Sequence, residues 1–318
     1  MTARPPTPQN LTLIFNPAAG RGQARRCHAS LQNSLAQKAQ AYGTRCQLLE
    51  TTSPGEATFL AAQAAKEGCD LIVAAGGDGT LGEVVNGLAQ SNYTSVLGIL
   101  PFGTGNDFAR CLGIGTDWQK ALNVLFEGTT RRVDVGHALF EDTGARHLFI
   151  NVAGCGFDAL VAQHVNDFRF HRLWRHVRGV PAYLSAVGQE LLKLRAVDLS
   201  LECDGQVIQQ RAMLCAVANA TSYGGGMLVA PDARFDDGEF DICLIKEAGQ
   251  MEFLRAFPRV FKGTHTSHSK VQMLRGREIS LRSEPPLPVL IDGEVRGKTP
   301  VRFWLEPRIL KVQAPCEE

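Results

Sequence analysis

Three glycine-rich segments, each set directly behind a short apolar run, constrain this chain more than any other feature. Asn16-Pro17-Ala18-Ala19-Gly20-Arg21-Gly22 follows Leu11-Thr12-Leu13-Ile14-Phe15. Gly76-Gly77-Asp78-Gly79-Thr80 follows residues 71–75, and Gly103-Thr104-Gly105-Asn106-Asp107 follows residues 96–100. The runs have the length of strands, and 71–75 is apolar throughout, as in a strand buried on both faces. A polar, alanine-rich helical pattern covers 23–42, a strand pattern 45–50 and a second helical pattern 54–67. Leu81, Val84, Val85 and Leu88 then recur at helical spacing. This alternation predicts a parallel sheet with helices on both faces.

The rhythm changes near Asp134. Helical patterns remain at 157–167 and 181–194, and strand patterns take over at 198–203, 211–218, 240–245, 270–274, 278–282, 289–291 and 301–305. Glycine, proline and Asp-Gly turns separate them. The expectation is an α/β chain of two domains, a nucleotide-type domain over 1–134 and an antiparallel β-rich domain over 135–318. A length of 318 residues suits two domains of ~100–200 residues each.

Glycine lets the backbone take positive φ and approach a ligand closely. Turned N–H groups and helix N-termini then hold an anion, and in open α/β sheets ligands bind outside the carboxyl ends of the strands. Thr80 with Glu83 has the spacing of a capping box, which predicts a helix start directly behind the glycines. Asp78 and Asp107 add carboxylates that a phosphate pocket needs only beside a cation, and Mg2+ prefers carboxylate, water and phosphate oxygens. The competing explanation is three tight strand-to-helix turns with no ligand. No G-x-x-x-x-G-K-[ST] segment occurs in these loops.

A net charge of +1 argues against bulk binding to nucleic acid. None of the nine cysteines forms a C-x-x-C pair, which fits reduced thiols in a cytoplasm. Residues 1–10 do not read as a signal peptide, and no apolar run nears the ~20 residues that span a bilayer. Any membrane contact is therefore expected to be peripheral. One segment, 168–179, interleaves Arg169, Arg172, Arg175 and Arg178 with Phe168, Phe170, Leu173, Trp174 and Val177. It reads as a helix seated at an anionic lipid surface or as a solvated helix face.

The motifs together resemble the bacterial branch of the diacylglycerol kinase catalytic-domain family, related to sphingosine and ceramide kinases. The matching residues are Asn16-Pro17 with Gly20; Gly77-Asp78-Gly79-Thr80 with Glu83 and Asn86-Gly87; Leu100-Pro101-Phe102-Gly103-Thr104-Gly105-Asn106-Asp107-Phe108-Ala109; and Val133-Asp134. Asn151 with Gly154 and Gly156, Gly224-Gly225-Gly226 with Ala230-Pro231, Asp237-Gly238 and Asp292-Gly293-Glu294 follow in order. The resemblance implies a Rossmann-like nucleotide domain, a β-sandwich domain and an active site in the cleft between them. It implies an ATP-dependent lipid kinase assisted by Mg2+, acting on diacylglycerol or a related lipid. The ATP contacts would be Asn16, Gly20, Thr51, Gly76, Gly77, Asp78, Gly79, Thr80, Glu83, Thr104 and Asn106. Asn106, Asp107 and Asp134 would serve the catalytic Mg2+ and water network, and Asp292 would be the general base. From the residues alone, Asp292-Gly293 also reads as a hairpin turn. A structural Mg2+ would sit on Asp237 and the carbonyls of Arg234 and Glu239.

The family usually has asparagine where this chain has Gly82. Partners implied are ATP and a lipid presented at a membrane surface, with no nucleic acid; a homodimer is left open. The location implied is cytoplasmic, peripheral to the inner membrane. The alternatives are an NAD kinase-like enzyme with a soluble substrate and a non-catalytic nucleotide- or lipid-binding regulator. Retention of Asp78, Asp107, Asp134 and Asp292 speaks against the regulator.

Overall fold

The computed structural model describes residues 7–166 and 195–316. They divide into two compact units, Met1–Val135 with Pro307–Glu318, and Gly136–Glu306. The expectation gave all of 135–318 to the second domain. Residues 307–318 instead return to the first, because the last strand is long enough to serve both units.

In the first unit the elements are β1 (Asn10–Phe15), α1 (Ala19–Tyr42), β2 (Arg45–Glu50), α2 (Glu56–Lys66), β3 (Leu71–Gly76), α3 (Asp78–Ala89), β4 (Val96–Pro101), α4 (Asp107–Cys111), α5 (Trp118–Glu127) and the first part of β5 (Thr129–Phe140). The parallel strands run β2-β1-β3-β4. The end of β15 (Val301–Ala314) joins β4 in parallel, Val312 opposite Leu97. β1 and β3 are neighbours whose connections leave in opposite directions. That is a topological switch point, and it brings two of the three glycine loops side by side. β3 is buried at every residue, as its unbroken apolar run requires. α2 packs on α3 so closely that a Cβ on Gly87 would lie 2.4 Å from the Thr58 carbonyl oxygen. α5, absent from the expectation, is capped by Asp117, whose side chain accepts from the N–H groups of Gln119 and Lys120.

The second unit holds β6 (Arg146–Phe149), β7 (Val152–Gly156), α6 (Phe157–Asn166), β8 (Val197–Cys203), β9 (Gln206–Ala218), β10 (Phe240–Lys246) and α7 (Gln250–Ala256). Two 3-10 turns follow, Phe257–Lys262 and Thr264–Ser267. Then come β11 (Val271–Gly276), β12 (Glu278–Glu284), β13 (Pro288–Ile291), β14 (Glu294–Lys298) and the start of β15. The antiparallel order is β14-β13-β7-β9-β8-β12-β15, with β10 on β9 and β11 on β10. β9 pairs with β8 along residues 206–212, then with β7 and β10 beyond that point. A strand that changes partners along its length bends from one layer to the next, and the unit is a β-sandwich. Its core stacks Phe149 on Phe240, centroids 5.5 Å apart, with Phe303 edge-on to Phe149. All nine cysteines are free, and burial pushes the Cys243 thiol up to about 12. The helix expected at 181–194 and the basic-aromatic segment 168–179 lie outside the described residues.

Candidate active site

In the first unit the three glycine loops are tied into one structure. Asn16 Nδ2 donates to Thr80 Oγ1 at 2.9 Å, and the Asn16 N–H donates to the Ala75 carbonyl at 2.9 Å. Gly20, Arg21 and Gly22 all have positive φ, so regular helix in α1 starts only behind them. A Cβ on Gly20 would lie 2.3 Å from the Phe102 carbonyl oxygen, so the first loop rests on the third. The second and third loops touch through bare backbone: a Cβ on Gly103 would lie 2.5 Å from Gly77 Cα.

Asp78 holds the third loop in place. Its Oδ2 accepts from the Asn106 N–H at 2.8 Å and its Oδ1 from the Asp107 N–H at 2.9 Å. Asn106 takes a left-handed conformation, φ 52°, and its amide bonds both ways with the Gly103 backbone. Gly105 separates two carboxylates: a Cβ there would lie 2.8 Å from Asp78 Oδ2 and 3.1 Å from Asp107 Oδ2. Burial and, next, the Asp107 charge push the Asp78 carboxyl above its ordinary range. Two facing, partly desolvated carboxylates fit a cation held between them and phosphate.

The expected capping box does not form. α3 begins at Asp78, earlier than Thr80–Glu83 spacing implies, with Gly77 as its N-cap and no side-chain cap. Thr80 Oγ1 is taken by Asn16. Glu83 turns to the start of α2, accepting from the N–H groups of Gly55 at 2.9 Å and Ala57 at 3.2 Å. Side-chain caps are therefore absent at the α3 N-terminus, where helix N–H groups and the helix dipole favour an anion.

Thr51 lies at the end of β2, its N–H bonded to the Phe15 carbonyl at 2.9 Å, and Thr104 is exposed at the tip of the third loop. Asp134 is fully buried on β5 and its Oδ1 accepts from the Arg308 N–H at 2.6 Å.

In the second unit Asp292 and Gly293 form the two-residue turn between β13 and β14, both with positive φ, 44° and 88°. The turn reading therefore holds. The Asp292 carboxylate has further work: Oδ2 accepts from Ile150 N–H at 2.9 Å, and Oδ1 from Asn151 at 2.9 Å and Val152 at 3.1 Å. These take three of a carboxylate's roughly four acceptor positions. The neighbourhood is polar and buried. Asn219 Nδ2 donates to the Ile150 carbonyl at 2.9 Å, and both Asn219 and Ala220 N–H groups donate to the Asn151 carbonyl.

Around the Asp236–Glu239 turn, Asp237 Oδ1 accepts from the Glu239 N–H at 3.2 Å, and its Oδ2 meets Arg275. Glu239 and Asp241 crowd the same guanidinium. Burial pushes Asp241 up to about 6 against the pull of Arg275, and its Oδ2 is buried without a hydrogen-bond partner. An orphaned carboxylate oxygen in an acid-rich cluster fits a cation. Among the described residues no three His, Cys, Asp or Glu side chains converge as a ligand set, so backbone carbonyls such as those of Arg234 and Glu239 would have to contribute.

A narrow apolar cavity of about 50 Å³ also opens in the second unit. Phe157, Leu214, Met227, Phe253 and Phe257 are among its walls. Its polar groups are few. Tyr223 OH donates to Asp158 Oδ2 at 2.9 Å, and His265 Nε2 lies 3.1 Å from the Val229 carbonyl while its Nδ1 is buried without a partner. Apolar walls with a few placed polar groups are the form of a small-molecule site.

Two family models match the chain: the diacylglycerol kinase catalytic domain over residues 10–138, and the YegS C-terminal NAD kinase beta sandwich-like domain over 151–314. Curated relatives named diacylglycerol kinase, from Staphylococcus aureus strains RF122 / ET3-1 and MRSA252, are 34% identical over 303 residues, covering 95% of this chain and 91% of theirs. The chain belongs to the diacylglycerol kinase family. It is an enzyme of the lipid kinase class. A crystal structure of a candidate diacylglycerol kinase from Bacillus anthracis str. Sterne superposes with a TM-score of 0.76 at 27% identity, covering 97% of this chain and 98% of that one.

The resemblance implies asparagine where this diacylglycerol kinase family member has Gly82, and the structure has room for it. A Cβ there meets nothing within 4 Å, and the Gly82 carbonyl already accepts from Asn86 Nδ2 at 2.7 Å. Gly82→Asn is expected to raise stability by a few tenths of a kcal/mol, about the propensity difference in a helix. Its KM for ATP should fall about two- to fivefold, at the scale of one hydrogen bond; steady-state kinetics at varied ATP check this.

The cavity residues Asp158, Tyr223 and His265 were not singled out from sequence, since apolar cavities are lined by ordinary core residues. His265 makes a measurable prediction. Burial, mainly, holds its imidazole below the usual histidine range, as it does for His137 and His147. The unfolded chain then takes up protons first as pH falls, so stability is full above about pH 6.5 and is lost below it. Tm should drop between pH 7 and 5, and His265→Gln should flatten part of that drop in a thermal melt series.

Proposed function

We propose that this diacylglycerol kinase family protein transfers the γ-phosphoryl group of ATP to a hydroxyl of diacylglycerol or a related lipid. The observation that carries the reading is the Asp78 carboxylate. It locks the third glycine loop beside the second, at a sheet switch point and next to a helix N-terminus without a side-chain cap. Backbone N–H groups of Gly77–Thr80 and of the Gly20–Gly22 turn would hold the phosphates, with Thr51 and Thr104 at the nucleotide. Asn106, Asp107 and Asp134 would hold the catalytic Mg2+ and its waters. Mg2+ supplies charge neutralisation on the phosphate oxygens.

Asp292 would orient the lipid hydroxyl and accept its proton as that oxygen bonds to the γ-phosphorus and ADP leaves. The apolar cavity would take acyl chain, with Asp158, Tyr223 and His265 facing the polar end of the lipid. Asp237, with the Arg234 and Glu239 carbonyls, would hold a structural Mg2+. The proposed setting is the membrane periphery, which agrees with the lack of any helix among the described residues long and apolar enough to cross a bilayer.

The test is incubation with γ-labelled ATP and Mg2+ against diacylglycerol, monoacylglycerol, phosphatidylglycerol, a sphingoid base and NAD. Label in a phosphorylated lipid supports the reading, and label in NADP alone favours the soluble-substrate alternative. Chelation should abolish turnover. For the second metal site, Asp237→Ala is expected to remove any rise in Tm that Mg2+ gives the parent protein, read by calorimetry with and without chelator.

A further inference from the structure

Five large apolar side chains are exposed among the described residues, and three of them fall within residues 251–261: Met251 at 61%, Leu254 at 45% and Phe261 at 48%. Pro258 is exposed between them. At ~100° per residue through α7 and ~120° through the following 3-10 turn, positions 251, 254, 258 and 261 share one face. The other face is anchored. Phe253 is buried, and Phe157, Phe253 and Phe257 pack together with centroids 5.0 to 6.1 Å apart. Phe261 extends that ladder, meeting Phe257 edge-on at 6.1 Å. The aromatic run that walls the apolar cavity thus reaches the surface at Phe261.

Charge follows the same stretch. Residues 250–262 carry Arg255, Arg259 and Lys262 against one acid, Glu252. Arg255 and Lys262 are exposed. Arg259 is held by the Thr264 carbonyl and Ser267 Oγ, both at 3.0 Å. Glu252 faces the Gly249 N–H at 3.4 Å and His268 Nε2 at 3.8 Å.

We propose that this ridge docks on an anionic bilayer surface, with Met251, Leu254, Pro258 and Phe261 in the acyl boundary and Arg255 and Lys262 at the headgroups. A basic margin beside an apolar ridge complements anionic lipid. Continuity with the cavity wall gives the docking a purpose, since it sets that wall against the source of substrate. The purpose rests on the lipid kinase reading; the docking is measured without it.

The experiment is co-sedimentation of the full chain with phosphatidylglycerol and phosphatidylcholine vesicles. The parent protein should prefer phosphatidylglycerol and lose part of its binding at high salt. Met251→Ser with Leu254→Ser and Phe261→Ser should weaken partition about tenfold or more at either salt, with the protein still folded at assay temperature, since the side chains are largely outside the core. Arg255→Glu with Lys262→Glu should abolish the lipid preference. In Phe261→Trp, phosphatidylglycerol vesicles should shift the added tryptophan emission to the blue. Unaltered partition in the triple variant, or no blue shift, overturns the proposal. So does a triple variant that turns from dimer to monomer on size exclusion with its partition intact, which would make the ridge an interface between copies. Turnover separates the two ideas. The triple variant should lose turnover on vesicle-borne diacylglycerol and keep it on a short-chain, dispersed one. A parent protein that binds vesicles but phosphorylates no lipid refutes the kinase reading and leaves the docking standing.

Discussion

Asp292→Asn is expected to lower turnover about 100-fold or more, the scale of general-base catalysis, with the KM for ATP within a few-fold of the parent. The carboxylate also supports structure, and the experiment has to separate the two roles. Its oxygens accept from Ile150, Asn151 and Val152 N–H groups. Asparagine keeps one acceptor oxygen and turns an amide N–H2 toward another backbone donor. A buried N–H left without an acceptor costs about 1–3 kcal/mol. Tm should therefore fall by several degrees, at ~2–4 °C per kcal/mol for a unit of this size. The base assignment stands if the protein remains folded at assay temperature and turnover alone collapses. Near-normal turnover would sink it. Asp292→Glu is the second check, since it keeps the charge but displaces it by a methylene.

Gly103→Ala is expected to force apart the second and third glycine loops. The new Cβ would lie 2.5 Å from Gly77 Cα and 2.7 Å from Asn106 Oδ1. The first neighbour is backbone of the opposing loop and cannot rotate away. The second anchors the loop through its bond to the Gly103 N–H. Overpacking of this kind costs about 1–3 kcal/mol, occasionally more. The larger effect should be functional: pushing the two loops apart moves the α3 N-terminus relative to the third loop, and such misplacement costs about 100-fold in rate. Calorimetry and single-turnover phosphoryl transfer check the two halves. A variant with parent-like turnover would show that the loops do not share one phosphate.

Much of this was legible in sequence because backbone chemistry carried it. β2 spans the expected residues 45–50, and β1, β3 and β4 agree to within a residue, since apolar runs behind and before polar helices leave little choice of state. The Asp292-Gly293 turn was equally plain, because few pairs tolerate two positive φ values in succession. α5 was missed although Asp117 and the spacing of Ala121, Leu122 and Leu125 announce a capped amphipathic helix. The capping box failed for a physical reason. Thr80 and Glu83 had stronger offers elsewhere, from Asn16 and from the open N–H groups at the start of α2. The cavity around His265 was invisible because its polar groups come from α6, the segment after β9 and a 3-10 turn, far apart in the chain.

The return of residues 307–318 to the first unit bears on how the protein is made. β4 has β3 on one side and only the end of β15 on the other. During synthesis the whole second unit emerges between those two strands. Until the end of β15 emerges from the ribosome, β4 presents an unpaired edge, the kind of surface on which nascent chains pair wrongly with one another. Deleting residues 307–318 would leave that edge open permanently. The sheet of the first unit is thus completed only when the end of β15 pairs with β4.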